Sequence, residues 1–93
     1  MVTKNNRSGS INSGVETIVR MNEQGRITIP FEVRSLLELR NSKVVITVIS
    51  GGEEVGTVIN VDESGRATIP KQTRRYLGID GDERELRLII ERR

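Results

Sequence analysis

Arginine carries most of the chemistry open to this sequence. Arg26 and Arg66 stand in the strings NEQGRITIP (residues 22–30) and DESGRATIP (residues 62–70), and Arg34 and Arg74 follow at matching distances. Twelve of the fifteen basic residues are Arg, whose planar fork suits phosphates and guanine edges where Lys offers a point charge. The net charge of +2 alone does not point to a polyanion. With no His, the usual general base, metal ligand and pH switch are missing. With no Cys, so are disulfides and thiolate metal sites. The acids Glu23, Asp62 and Glu63 fall in polar turns, where solvated charge is their ordinary role. No catalytic residue, cofactor, metal or small-molecule substrate is therefore expected, and the chain does not read as an enzyme.

The elements that position these arginines come in two copies. Residues 17–49 align without a gap on residues 57–89, pairing Gly25 and Arg26 with Gly65 and Arg66, and Thr28, Ile29 and Pro30 with Thr68, Ile69 and Pro70. A forty-residue period also suits arrays, but arrays need about three units to bury a continuous core. Two units must close on each other. In each, an alternating stretch (Thr17, Val19 and Met21 alternating with Ile18, Arg20 and Asn22 in the first) predicts a strand, Gly25 or Gly65 a tight turn, and residues 26–29 or 66–69 a second strand. Pro30 and Pro70 then suit the first turn of a helix. Val33, Leu36 and Leu37 mark one face of the first helix, and Gly78 a cap after the second. The apolar run 44–49 predicts a strand buried on both faces, and Glu85–Ile90 a strand with Leu86, Leu88 and Ile90 together. Ser50, Gly51 and Gly52 turn the chain between the copies.

At 93 residues, with one Phe, one Tyr and no Trp, this is one small domain with an aliphatic core. Residues 1–14 hold too few large apolar side chains to offset their ordering entropy and read as a flexible arm. Residues 15–93 form the domain, repeat one over 15–52 and repeat two over 53–93. No run approaches the roughly twenty apolar residues of a membrane span, and no signal-type stretch opens the chain, so the expected location is the cytoplasm.

The doubled pattern hydrophobic strand, Asn/Asp-x-x-Gly-Arg-hydrophobic-x-Ile-Pro, x-x-hydrophobic-Arg-x-x-Leu resembles the AbrB/MazE/SpoVT swapped-hairpin family. It is carried by Asn22, Gly25, Arg26, Ile27, Ile29, Pro30, Val33, Arg34 and Leu37, then by Asp62, Gly65, Arg66, Ala67, Ile69, Pro70, Thr73, Arg74 and Leu77. The tandem arrangement is similar to the MraZ proteins. The resemblance implies a mainly β fold with two short helices, a swapped-hairpin barrel of two β-β-α-β repeats about a pseudo-twofold axis. Two units usually come from two chains; here one chain supplies both, an intramolecular pseudo-dimer for which further homodimerisation stays open. There is no room for the family's separate fourth strand.

The implied function is a DNA-binding transcriptional regulator, associated with the nucleoid and contacting duplex DNA through Arg20, Arg26, Arg34, Arg66, Lys71, Arg74 and Arg75. Arg20 matches a basic position closing the family's first strand, though its counterpart is Asn60. Arg26 and Arg66 should point outward beside Thr28 and Thr68, with a surface ion pair to Glu23 or Asp62 as the plain alternative. Lys71, Arg74 and Arg75, spaced i, i+3 and i+4, should share the helix face opposite Thr73, Tyr76 and Leu77. A cation near a helix N-terminus is unfavourable, so three cations there are expected to meet an anion. Arg84, Arg87, Arg92 and Arg93 lie among acids and read as a solvated edge. The competing function is an oligomerisation or protein-partner module on the same scaffold, antitoxins included, without DNA.

Overall fold

The structure, a computed structural model, describes residues 14–92. The arm expected over residues 1–14 therefore lies outside the described residues except for Gly14, as does Arg93. The chain runs β1 (Val15–Met21), β2 (Arg26–Thr28), α1 (Phe31–Leu37), β3 (Ser42–Ser50), β4 (Glu53–Val61), β5 (Arg66–Thr68), α2 (Lys71–Tyr76) and β6 (Arg84–Arg92). It is mainly β with two short helices, and each repeat is β-β-α-β as its sequence periodicity requires.

The described strands form two antiparallel sheets, β1-β6-β3-β4 and the ribbon β2-β5, and no closed barrel. The cause is local. After β1, Asn22 N–H donates to Arg26 O and Gly25 N–H to Asn22 O, a turn so tight that β2 has three residues before Pro30. Its remaining ladder is used on β5.

Both sheets mix the repeats. β1 pairs with β6 (Val19 opposite Leu86) and β4 with β3 (Ile59 opposite Val44), so the first strand of repeat one lies on the last strand of repeat two. In the ribbon, Ile27 faces its own counterpart Ala67. The pattern maps onto itself when the repeats are exchanged, with one correction to the gapless alignment. Leu39 and Ile79 remain forty residues apart, both buried and both donating N–H to the helix arginine's carbonyl (Arg34 O, Arg74 O). The buried residues of β3, however, are Val44, Ile46 and Val48, and those of β6 are Leu86, Leu88 and Ile90, forty-two apart. Two residues are inserted in the turn between Ile79 and Arg84, so Ser42 corresponds to Arg84 and Val44 to Leu86. Thr47 then meets its counterpart Ile89 at the centre of the β3–β6 ladder.

The core is aliphatic. Met21, Ile29, Ile46, Ile69, Ile79, Leu88 and Ile90 are fully enclosed between the large sheet, the ribbon and the helices. Two expectations need correcting. β3 is not buried on both faces: Val44, Ile46 and Val48 are sealed, while Val45, Thr47 and Ile49 are only half-covered, because nothing among the described residues packs on the sheet's outer side. Leu36 does not join Val33 and Leu37 inward but is 69% exposed, since a seven-residue helix lying on the core turns only a narrow stripe toward it. Pro30 and Pro70 stand at the N-cap, one residue before each helix, their extended ψ of about 146° and 145° carrying the chain out of the ribbon. Gly51 and Gly52, at φ +58° and +84°, make the two-residue loop of the β3–β4 hairpin, where both loop residues need positive φ.

Candidate nucleic-acid interface

The ribbon presents the basic surface. In β2 and β5 the middle residues Ile27 and Ala67 point into the core, so the flanking Arg26, Thr28, Arg66 and Thr68 must point out, and all four are exposed. Register puts Arg26 opposite Thr68 and Thr28 opposite Arg66. The two arginines thus sit diagonally on one face. Arg26 has no ion-pair partner among the described residues. Arg66 Nε lies 3.7 Å from Asp62 Oδ2, a solvated pair that holds the arginine only weakly. Arg20, at the end of β1, flanks this face and lies 3.8 Å from Glu83. Arg26 and Arg66 line two open depressions, of about 520 Å³ with Asn60 and Asp62 and about 420 Å³ with Arg20 and Asn22.

The turns before the ribbon are fixed by a side-chain acceptor in each repeat. Asn22 Oδ1 accepts from Gln24 N–H and Arg26 N–H, both at 2.9 Å. Asp62 Oδ1 accepts from Ser64 N–H at 2.9 Å and Arg66 N–H at 2.8 Å. The backbone N–H of Arg66, then that of Ser64 and the Arg66 charge, hold the exposed Asp62 carboxyl below its ordinary pKa.

The helix arginines lie elsewhere and do a different job. Arg74 Nε donates to Ile69 O at 2.9 Å, and its Nη1 donates to Asp80 Oδ1 at 2.8 Å. Its side chain is only 10% exposed. It lies on Gly25 of the opposite repeat: a Cβ built there would come within 2.5 Å of Arg74 Nε. Gly25 O in turn accepts Ile69 N–H at 2.9 Å, closing a cycle across the repeats. Arg34 does the same in mirror order, donating Nε to Ile29 O at 3.0 Å and lying on Gly65, whose carbonyl accepts Ile29 N–H at 2.8 Å. Both glycines take φ above +80° and both are buried, so the tight loop and the arginine require each other.

The expectation that Lys71, Arg74 and Arg75 share one solvent face therefore fails. Arg74 is turned inward beside Thr73, because its guanidinium closes the Gly25 loop; Lys71 and Arg75 remain outside, Arg75 at 4.0 Å from Asp80. Arg20, Arg26 and Arg66 come together at the ribbon, while Lys71 with Arg75 and the half-buried Arg34 occupy the helices. The solvated edge is as expected for its described members: Arg84 pairs with Asp82, Arg87 with Glu16 and Arg92 with Glu38. Sequence reasoning missed Arg40, which lines a depression with Arg34, and the mismatch of Arg40 with Asp80 in the repeat alignment was its signal.

Among the described residues no helix is long and apolar enough to cross a membrane. No family model matches the chain, and no curated protein does. Among solved structures it is similar to the solution structure of PHS018 from Pyrococcus horikoshii, with a TM-score of 0.69 and 26% identity over 83% of this chain and 88% of that one.

Proposed function

We propose that this protein binds duplex DNA by seating the β2–β5 ribbon on it, as a regulator of the AbrB/SpoVT type. The observation that carries this is the shared outward face of Arg26 and Arg66. A two-stranded antiparallel ribbon is narrow enough for the major groove. Its outer residues are two arginines, able to fork onto phosphates or guanine edges, and two threonines, able to donate to phosphate or touch a thymine methyl. Exchange of the repeats exchanges Arg26 with Arg66, so the face suits a locally palindromic step, as symmetric binders do. Arg20 extends the basic surface on one side, where Asn60 is its neutral counterpart. Strand exchange between the repeats supports the swapped-hairpin reading of the fold, with one chain doing what relatives assemble from two.

A protein-partner module is the second reading, and the exposure of Phe31, Leu36 and Tyr76 on the helices favours it. Titration of fluorescent duplexes at several salt concentrations separates the two. DNA binding through the ribbon gives a steep fall of log K with log salt, and Arg26→Ala or Arg66→Ala each lowers the slope by about 0.9. Affinity that ignores salt, or slopes unchanged in both variants, overturns the DNA assignment.

A further inference from the structure

The two helix arginines are counterparts with different endings. Arg74 ends on the Asp80 carboxylate, which Arg75 also approaches. In repeat one the corresponding turn is two residues shorter, and Arg40 stands where the alignment places Asp80. Among the described residues no carboxylate lies within ion-pair distance of Arg34 or of Arg40. Both line an open depression of about 570 Å³ together with Phe31, Ser35, Glu38 and Glu63. Glu38, in an exposed pair with Arg92 at 3.3 Å, and Glu63 are the two acids that compete for the arginines. The Phe31 ring is 68% exposed, with Arg34 Cζ 5.6 Å from its centroid.

We propose that the Arg34–Arg40 depression is a binding site for a small organic carboxylate with an apolar group. The second repeat supplies the template: a carboxylate on the outer nitrogens of the helix arginine, the position Asp80 takes on Arg74. In the first repeat, Arg34 keeps its Nε on Ile29 O and so is pre-oriented, and it lines the depression. Arg40 adds the second guanidinium, Ser35 a hydroxyl donor, and Phe31 an apolar wall for the ligand body. Charge-assisted bonds to a carboxylate from a planar, fixed fork are the strong kind. This site is separate from the ribbon and does not depend on DNA binding.

Benzoate is the probe, titrated into ¹⁵N-labelled full-length protein while the Nε–H signals of Arg34 and Arg74 are followed. Arg34 Nε and the Arg40 amide should move saturably while Arg74 Nε stays still. Arg40→Gln, whose side chain makes no bond within the described fold, should weaken binding about tenfold, the loss of one charge-assisted bond. Glu63→Gln should tighten it. Arg34 signals that do not move, or benzoate affinity unchanged in Arg40→Gln, overturn the assignment. Inorganic phosphate or a DNA duplex moving Arg34 where benzoate does not would overturn the carboxylate in favour of a phosphate.

Discussion

Gly25→Ala should cost more stability than Gly65→Ala, although the glycines are counterparts at φ +85° and +82°. The shared part is the left-handed backbone, about 1–2 kcal/mol for an L-residue, offset by roughly 0.4–1 kcal/mol from a stiffer unfolded chain. The difference lies in what the new methyl displaces. At Gly65 it meets Arg34, which is half-buried, has no acid partner among the described residues, and can swing outward at the cost of its bond to Ile29 O. At Gly25 it meets Arg74, which can leave only by giving up both Ile69 O and Asp80. A hydrogen bond to a charged group contributes about 1.5–3 kcal/mol, and the partial exposure of Asp80 puts this one at the low end. Gly25→Ala should therefore lose about 1.5 kcal/mol more. With a urea m-value near 1 kcal/mol/M for so small a domain, that is a gap of about 1.5 M between midpoints. In an Asp80→Ala background, which removes the acceptor of Arg74 Nη1, the gap should shrink toward zero. Equal midpoints for the two alanine variants, or a gap that survives Asp80→Ala, would refute the cross-repeat clamp.

Arg74→Ala should destabilise the fold by roughly 2–3 kcal/mol, because it strands a buried carbonyl and a carboxylate. Arg75→Ala, an exposed change, should stay within about 0.5 kcal/mol, and chemical denaturation of both checks this. Asp62 has a depressed folded pKa, so its contribution is complete above the unfolded value of about 3.9 and is lost as pH falls through the lower folded value. Asp62→Asn, which installs the group already present as Asn22, should keep the turn at neutral pH and remove that acid-limb dependence from urea midpoints measured between pH 5 and 2. Residues 1–51 expressed alone lack the β6 partner of β1 and both partners of β3, and should be unfolded or self-associated by circular dichroism and light scattering. A folded monomeric half would contradict the exchange of strands.

Much of the fold was legible because its signals are local and doubled. The period-two alternation of Thr17, Val19 and Met21 marks β1 as a strand, and Gly-Arg followed by Ile-Pro marks a turn, a short strand and the approach to a helix in each copy. What failed to show were features decided by neighbours distant in sequence. Leu36 has a core-facing period, yet the helix offers the core only Val33 and Leu37. The two-residue insertion after Ile79 is invisible to an alignment scored by residue type, because Ile46 with Leu86 and Val48 with Leu88 look acceptable forty apart. The burial pattern and the ladders, pairing Met21 with Arg84 and Ser42 with Val61, show that the equivalence has moved.

The candidate site is legible only in part. Arg26 and Arg66 were placed outward by a strand period that also sends Ile27 and Ala67 inward, an inference needing nothing beyond three residues. Helical spacing reports angle but not reach, so it does not place the helix arginines. Arg74 lies one position from Arg75 and three from Lys71, and its long stem lets the guanidinium bend back to Ile69 O and across to Gly25. Burial of that charge is tolerable because Asp80 stands at the start of the same lengthened turn. Repeat one keeps the arginine and the glycine but has Arg40 in place of the acid, so the fold retains its clamp there without neutralising it. Symmetry between the repeats thus holds where backbone hydrogen bonds enforce it and breaks at one turn, where two more residues and a change of charge give otherwise equivalent arginines different chemistry.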